Sequence, residues 1–430
     1  MRAGQIVASV HDGSFTTRDV ADVHLAQIER YDDSIQAFAT VDEDMVRAEA
    51  DWLDRQRDAG ARLPLHGVPV AVKDIIDVAG LPTIAGFEPY RENIARQDAA
   101  IISRLRSLGA FVLGKTHTTQ FAVGDPAPTQ NPWNQYKSPA GSSAGSGAAI
   151  PSGMSPIALG SQTAGSMLRP AAFNGCVGFK PTRDWMSMNG VIPLSWSLDH
   201  LGIYAGNVSD VERVYRQLAG HELEDSDQPA LSPPRIALLN EFLEMSDNPV
   251  RAHLRDIADR LADAGATVVE TDLPVPFEKL FSVHQLIFSA EMAAVHRENL
   301  RAYPDHYGPR IRSGVEAGAL IPAAALLHAQ RLRRAHIDTI DTWFSQFDIV
   351  MMPTVSTEAC DRAETGDRRF QIPATLLGLP AISLPTGLSP NGLPLGTQLI
   401  GKANRDVGLL RAARWINEIA PLIGIPERFK

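Results

Sequence analysis

Cysteine is almost missing from this chain: Cys176 and Cys360 are the two present in 430 residues. That is too few for a disulfide framework, and a reducing compartment, the cytoplasm, is the expected setting. No apolar run approaches the ~20 residues that a membrane-spanning helix needs. The opening Met1-Arg2-Ala3-Gly4-Gln5-Ile6-Val7 lacks the apolar core of a signal peptide. Basic blocks are absent and the net charge is −10, which argues against a nucleic-acid partner. His117 and His200 have no spaced companions of metal-ligand type, so no metal is expected and both read as packing or pocket-lining residues. Neither an internal repeat nor a low-complexity tract interrupts the chain.

What is present is a train of alternating helix and strand signals. Thr16-Thr17 offers an N-cap for a helix to about Tyr31, and Ile35 to Val41 reads as a strand. Asp44 to Asp58 and Asp98 to Leu108 read as helices stopped by Gly60 and Gly109. Val68 to Val72 is short and nearly all apolar, as a strand covered on both faces should be. Phe111 to Leu113 and Pro156 to Leu159 read as further strands, and the small residues 144 to 150 as a tightly packed helix. The acidic, proline-bearing stretch 224–234 reads as an exposed connection. Arg235 to Leu239, Arg251 to Ala264 and Thr267 to Leu273 form a strand–helix–strand unit, which implies parallel pairing. Helices over about 276–301 and 322–345, strands at Phe347 to Met352, Ala381 to Leu384 and Leu395 to Ile400, and a helix from Asp406 to Ile419 complete the reading. The expected fold class is α/β, with a twisted, mixed, mostly parallel β-sheet flanked by helices on both faces. Length alone would allow two or three domains.

Three residues carry the chemistry. Lys73 ends the apolar run Gly67-Val68-Pro69-Val70-Ala71-Val72, Ser142 opens a serine–glycine turn, and Ser166 closes Ser161-Gln162-Thr163-Ala164-Gly165-Ser166. A hydroxyl is a poor nucleophile until a base takes its proton. A lysine can be that base only when neutral, and burial lowers its pKa toward that state. A lone lysine at a strand end is ordinarily a solvated edge residue, and a serine–glycine run ordinarily a flexible loop. Here Val70, Val72, Ile75 and Ile76 make a dry setting for Lys73, and Pro139 with the alanines after Ser142 makes a structured turn.

These segments resemble the amidase signature family of Ser-Ser-Lys hydrolases. The resemblance extends through Gly114-Lys115-Thr116, Asn131-Pro132-Trp133-Asn134, the 141–147 loop and Leu159 to Thr182. It resumes at Ser197 to Gly202, Met352-Pro353-Thr354, Gly378 to Ser383 and Gly392 to Gly401, and so covers most of the chain. It implies one large domain over 1–430, with about 209–345 more variable and forming part of the pocket. It implies that Ser166 is the nucleophile, that Ser142 relays protons to Lys73 across a cis Gly141–Ser142 bond, and that the backbone N–H groups of Thr163, Ala164, Gly165 and Ser166 form the oxyanion hole. The implied activity is hydrolysis of the C–N bond of a small amide, with no cofactor, and family habit suggests a homodimer. Arg169, three residues after Ser166, resembles the malonamidase-like subset. It reads either as a clamp for a substrate carboxylate or as a structural residue that pins the loop. The chain departs from the common pattern at Ala144 and Ala164, where glycine is usual, at Gln162 for a frequent aspartate, at Gln120 for a common glutamate, and over Pro373-Ala374-Thr375, which lacks the usual asparagine. Two added methyls, on Ala144 and Ala164, are expected to narrow the turns.

Two motifs compete with this reading. Gly109 to Thr116 matches the P-loop spacing, but its Ala-Phe-Val-Leu interior is strand-like and follows a helix. Gly141-Ser142-Ser143-Ala144-Gly145 matches a nucleophile elbow, which would make Ser143 the nucleophile with Asp199 and His200 as candidate partners. A third alternative is the glutamine-hydrolysing subunit of a tRNA-dependent amidotransferase, for which the chain is short and carries no tRNA-binding charge. Cys176 reads as a small core residue.

Overall fold

A computed structural model describes residues 1–220 and 233–429. Eleven strands form one sheet: β1 (Phe38–Thr40), β2 (Pro69–Lys73), β3 (Phe111–Thr116), β4 (Ile157–Gln162), β5 (Val177–Lys180), β6 (His200–Ala205), β7 (Arg235–Leu239), β8 (Thr267–Thr271), β9 (Ile349–Pro353), β10 (Ala381–Leu388) and β11 (Pro394–Gly401). Their order across the sheet is β1-β3-β2-β4-β6-β5-β10-β11-β9-β7-β8. The central strands β2, β3, β4, β6, β9 and β11 are buried along their whole length, in keeping with their mainly apolar or small residues, while β8 at one edge is largely exposed.

The sheet is mixed, and the expected predominance of parallel pairs is corrected. Parallel pairing is confined to β3/β2/β4 and to β9/β7/β8. The other ladders are antiparallel, because β10 and β11 are joined by a hairpin and β6 inserts between β4 and β5. The strand–helix–strand unit ending in β8 is parallel, as expected, with its helix at Asn248–Asp263 capped by Asp247.

Local signals explain most boundaries. Thr16 and Asp19 form a reciprocal capping box that starts the helix Thr17–Ile35. That helix runs past the expected stop at Tyr31 and displaces the start of β1 to Phe38. The Asp32 carboxylate takes the N–H groups of Ala37 and Phe38 and folds the exit of the chain around it. The long helices Phe277–Ala302 and Ala323–Trp343 lie where the patterning puts them. Helices at Ala3–Asp12, Val208–Ala219 and Pro309–Gly318 were not anticipated from the patterning. The expected connection at 224–234 falls almost entirely outside the described residues. Among those residues no helix is long and apolar enough to cross a membrane.

Candidate active site

Parallel pairing aligns the ends of β2 and β4, with Val72 opposite Leu159, so Lys73 arrives beside the last residues of β4. Lys73 is wholly buried, and its Nζ donates to Ser142 Oγ at 2.6 Å and to Ser161 Oγ at 2.8 Å. Burial pushes the Lys73 ammonium down from the ordinary lysine range to about 7, and the charge of Asp199 opposes that shift only in part. Near neutrality the neutral amine is therefore within reach, one able to take the Ser142 proton over the same short contact.

Ser142 is placed by a turn and a short helix. The Gly141–Ser142 peptide is cis. Arg169 Nη2 donates to Gly141 O at 2.6 Å and Arg169 Nη1 to Gly366 O at 2.6 Å, so this buried guanidinium ties two loops together through carbonyl oxygens. The helix Ala144–Ala149, built wholly of small buried residues, then wedges against β2, β3 and β4. Its closest approach is at Gly145, whose N–H donates to His117 O at 3.0 Å. A Cβ there would stand 2.2 Å from Ala37 O and 2.6 Å from His117 N. The crowding expected at Ala144 is thus found one residue later, where glycine is kept. Backbone strain in the turn falls on Ala140, which sits in the left-handed region at φ 62°.

The loop after β4 is anchored by its carbonyls. His284 Nε2 donates to Thr163 O at 2.9 Å, Thr375 Oγ1 to Ala164 O at 2.8 Å, and the Tyr204 hydroxyl to Ser166 O at 3.1 Å. In a planar trans peptide the N–H points opposite to its carbonyl. The anchors therefore turn the N–H groups of Ala164, Gly165 and Met167 away from these partners. Thr163 Oγ1 also donates to Asp199 Oδ1 at 2.6 Å, and Asp199 Oδ2 accepts from the Leu194 and Ser195 N–H groups. Burial pushes the Asp199 carboxyl up to about 6.

Two departures from the common family pattern meet each other here. Gln162 Oε1 accepts from the N–H groups of Met167 and Leu168, and Gln162 Nε2 donates to Thr375 Oγ1 at 2.9 Å. The longer glutamine side chain reaches the shorter threonine, and Thr375 passes the tether on to Ala164 O. Gln162→Asp is expected to lower the urea midpoint by more than the Gln162→Asp/Thr375→Asn double substitution does. A double-substitution loss equal to the sum of the losses in Gln162→Asp and Thr375→Asn would mean that the two positions are independent.

Ser142, Thr163, Ala164, Ser166 and Arg169 line one cavity of about 450 Å³. Gly165 stands just behind it, packed on Gln371. The reading of Ser143 as a nucleophile is corrected: its Oγ is buried, donates to Ser161 O at 3.2 Å and accepts from Ser161 N–H. Asp199 serves Thr163, and His200 Nδ1 donates to Leu198 O at 2.6 Å. Lys115 of the P-loop-like stretch lies in β3, paired with Asp74 at 3.0 Å. Cys176 is buried beside Gly147 O, and His117 lines a separate neighbouring cavity.

The far walls were not identified residue by residue from sequence. Gln285, Phe288, Ser289 and Met292 face the cavity from the helix Phe277–Ala302, Arg310 from the first turn of the helix Pro309–Gly318, and Glu364, Asp367 and Arg368 close it from one loop. The first four stand at i, i+3, i+4 and i+7, a helix-face pattern that could have been read. Polar members in a mainly apolar helix hid it.

Comparisons with known proteins place the chain among its relatives. The amidase family profile matches residues 19–410. A glutamyl-tRNA(Gln) amidotransferase subunit from Symbiobacterium thermophilum is 31% identical, over 93% of this chain and 93% of its own. A structure from a vestigial protein complex, described as revealing the evolutionary origins of an s-triazine catabolic enzyme, superposes with a TM-score of 0.90 at 30% identity, covering 99% of this chain and 100% of the other. The peptide amidase of Stenotrophomonas maltophilia superposes with a TM-score of 0.85 at 25% identity, over 99% and 98% of the two chains. With its α/β sheet and a profile match across nearly all its length, the chain belongs to the amidase signature family, enzymes that hydrolyse amide C–N bonds.

Proposed function

We propose that this amidohydrolase cleaves a small, carboxylate-bearing amide through an acyl-enzyme on Ser166. The observation that carries the reading is a buried Lys73 hydrogen-bonded to Ser142, which lines the same cavity as Ser166. Ser166 Oγ attacks the amide carbon as Ser142 takes its proton and hands its own to Lys73. The carbonyl oxygen gathers negative charge, which the N–H groups of the 163–166 loop receive. Each such donor is worth about 2.7–4 kcal/mol in a transition state. The proton held on Lys73 returns through Ser142 to the leaving nitrogen, ammonia or an amine departs, and water hydrolyses the ester by the same relay. No step calls for a cofactor. Arg169 holds the Gly141 and Gly366 carbonyls and adds positive charge to the wall.

The test is ammonia release from paired small amides, with and without a neighbouring carboxylate, using Ser166→Ala as the blank. Turnover concentrated in the carboxylate-bearing members is expected, and a Ser166→Ala protein that keeps its activity would remove the nucleophile assignment. Arg169→Ala is expected to lower activity on both kinds of amide alike, since its guanidinium binds backbone.

A second reading is favoured by one observation, the 31% identity to a protein named as part of an amidotransferase. On that reading the amide is glutamine and the chain works beside other polypeptides, not as a homodimer. Glutamine in the same panel separates the two: turnover of glutamine alone supports the amidotransferase reading.

A further inference from the structure

Three arginines line the cavity, and they are committed very differently. Arg169 gives both Nη groups to backbone carbonyls. Arg310 pairs with Glu364 at 3.2 Å and Asp125 at 3.6 Å. Arg368 meets no carboxylate among the described residues. Its Nη2 donates to Gln285 Oε1 at 3.1 Å, and its guanidinium carbon lies 5.0 Å from the centre of the Phe288 ring. The adjacent Asp367 is turned to Arg369, at 2.8 Å. A guanidinium carries five N–H donors in a rigid fork, and one amide oxygen answers little of that capacity. Gln285 and Phe288 fix the plane of the fork from the same helix face, so its orientation is set before any ligand arrives.

The position is also close to the chemistry. A Cβ built on Gly165 would lie 3.5 Å from Arg368 Cα, so the Arg368 backbone abuts the residue before Ser166. We infer that Arg368, oriented by Gln285 and Phe288, binds a carboxylate of the substrate near Ser166, which makes the substrate class the short monoamide of a dicarboxylic acid. The inference rests on the Ser166 reading for its chemistry but not for its binding. Arg169 is left to hold the loops. Arg368 remains charged even though burial lowers its pKa, because arginine starts from so high a value.

Two measurements test this separately from catalysis. In the active enzyme, the ratio of kcat/KM for malonamate to that for the neutral diamide malonamide is expected to fall about 10- to 100-fold in Arg368→Gln, the loss of a charged hydrogen-bonded contact. Arg368→Lys should recover part of it. In Ser166→Ala, malonate or succinate is expected to raise the thermal midpoint, and Ser166→Ala/Arg368→Gln should lose that protection. An unchanged substrate ratio, or dicarboxylate protection that survives Arg368→Gln, overturns the assignment. Failure of the Ser166 reading shows itself differently, as a Ser166→Ala protein that still releases ammonia, and it leaves the malonate measurement decisive.

Discussion

Lys73→Met is expected to reduce kcat about 10³- to 10⁴-fold, near the upper range for removing a positioned base, and to leave the protein no less stable at neutral pH. The two effects have one cause. Lys73 is completely buried, and its pKa falls from 10.5 to about 7 on folding. Between those values the unfolded chain binds a proton that the folded chain rejects, so the folded state gains stability as pH rises through the window and carries the penalty in full below about 7. The penalty at pH 7 is on the order of 4 kcal/mol. Methionine fills similar volume with no charge to desolvate, although Ser142 and Ser161 each lose a hydrogen-bond partner. Urea unfolding between pH 7 and 10 checks this: the wild-type midpoint should climb with pH, and the Lys73→Met midpoint should climb less. Lys180, also pushed to about 7 by burial, keeps some slope in the variant. In wild type, kcat/KM should rise with pH through about 7 as Lys73 becomes neutral. A rate independent of pH there, or a Lys73→Met protein with near-normal turnover, would remove lysine from the mechanism.

Gly145→Ala should be among the most damaging exchanges of a single hydrogen for a methyl. The new carbon would overlap Ala37 O at 2.2 Å and His117 N at 2.6 Å, and both are backbone atoms that no side-chain rotation can move aside. The cost is expected to be about 3 kcal/mol or more. Any chain that folds must shift the helix Ala144–Ala149, and Ser142 with it. Lowered soluble yield together with a lowered urea midpoint is the expected result. The control is Gly408→Ala, at a helix position with nothing within 4 Å of the added carbon, which should change neither. A Gly145→Ala protein with wild-type stability and rate would show that the helix can move freely.

These outcomes bear on how much could be read from residues alone. Lys73, Ser142 and the 163–166 loop were legible because each sits in an apolar or small-residue context that solvent-exposed turns do not have. β2 and β4 were legible for the same reason. Arg169 left two readings open in sequence, since a guanidinium suits a carboxylate and a carbonyl equally well, and only the fold brings Gly141 O and Gly366 O to it. Arg368 gave no local signal: it lies in a charged loop between Asp367 and Arg369, and its importance comes from a helix more than 80 positions earlier. The antiparallel ladders were missed because strand direction depends on how β6 and the β10–β11 hairpin insert, which strand periodicity does not encode.

The tether between Gln162 and Thr375 has a consequence for descent. Two positions more than 200 residues apart share one contact, so a chain that changes either one alone is expected to hold its 163–166 loop less firmly. A change at either position alone is expected to need spare stability elsewhere to be tolerated. The lineage that carries this pair is therefore expected to keep it as a unit, inherited or lost together.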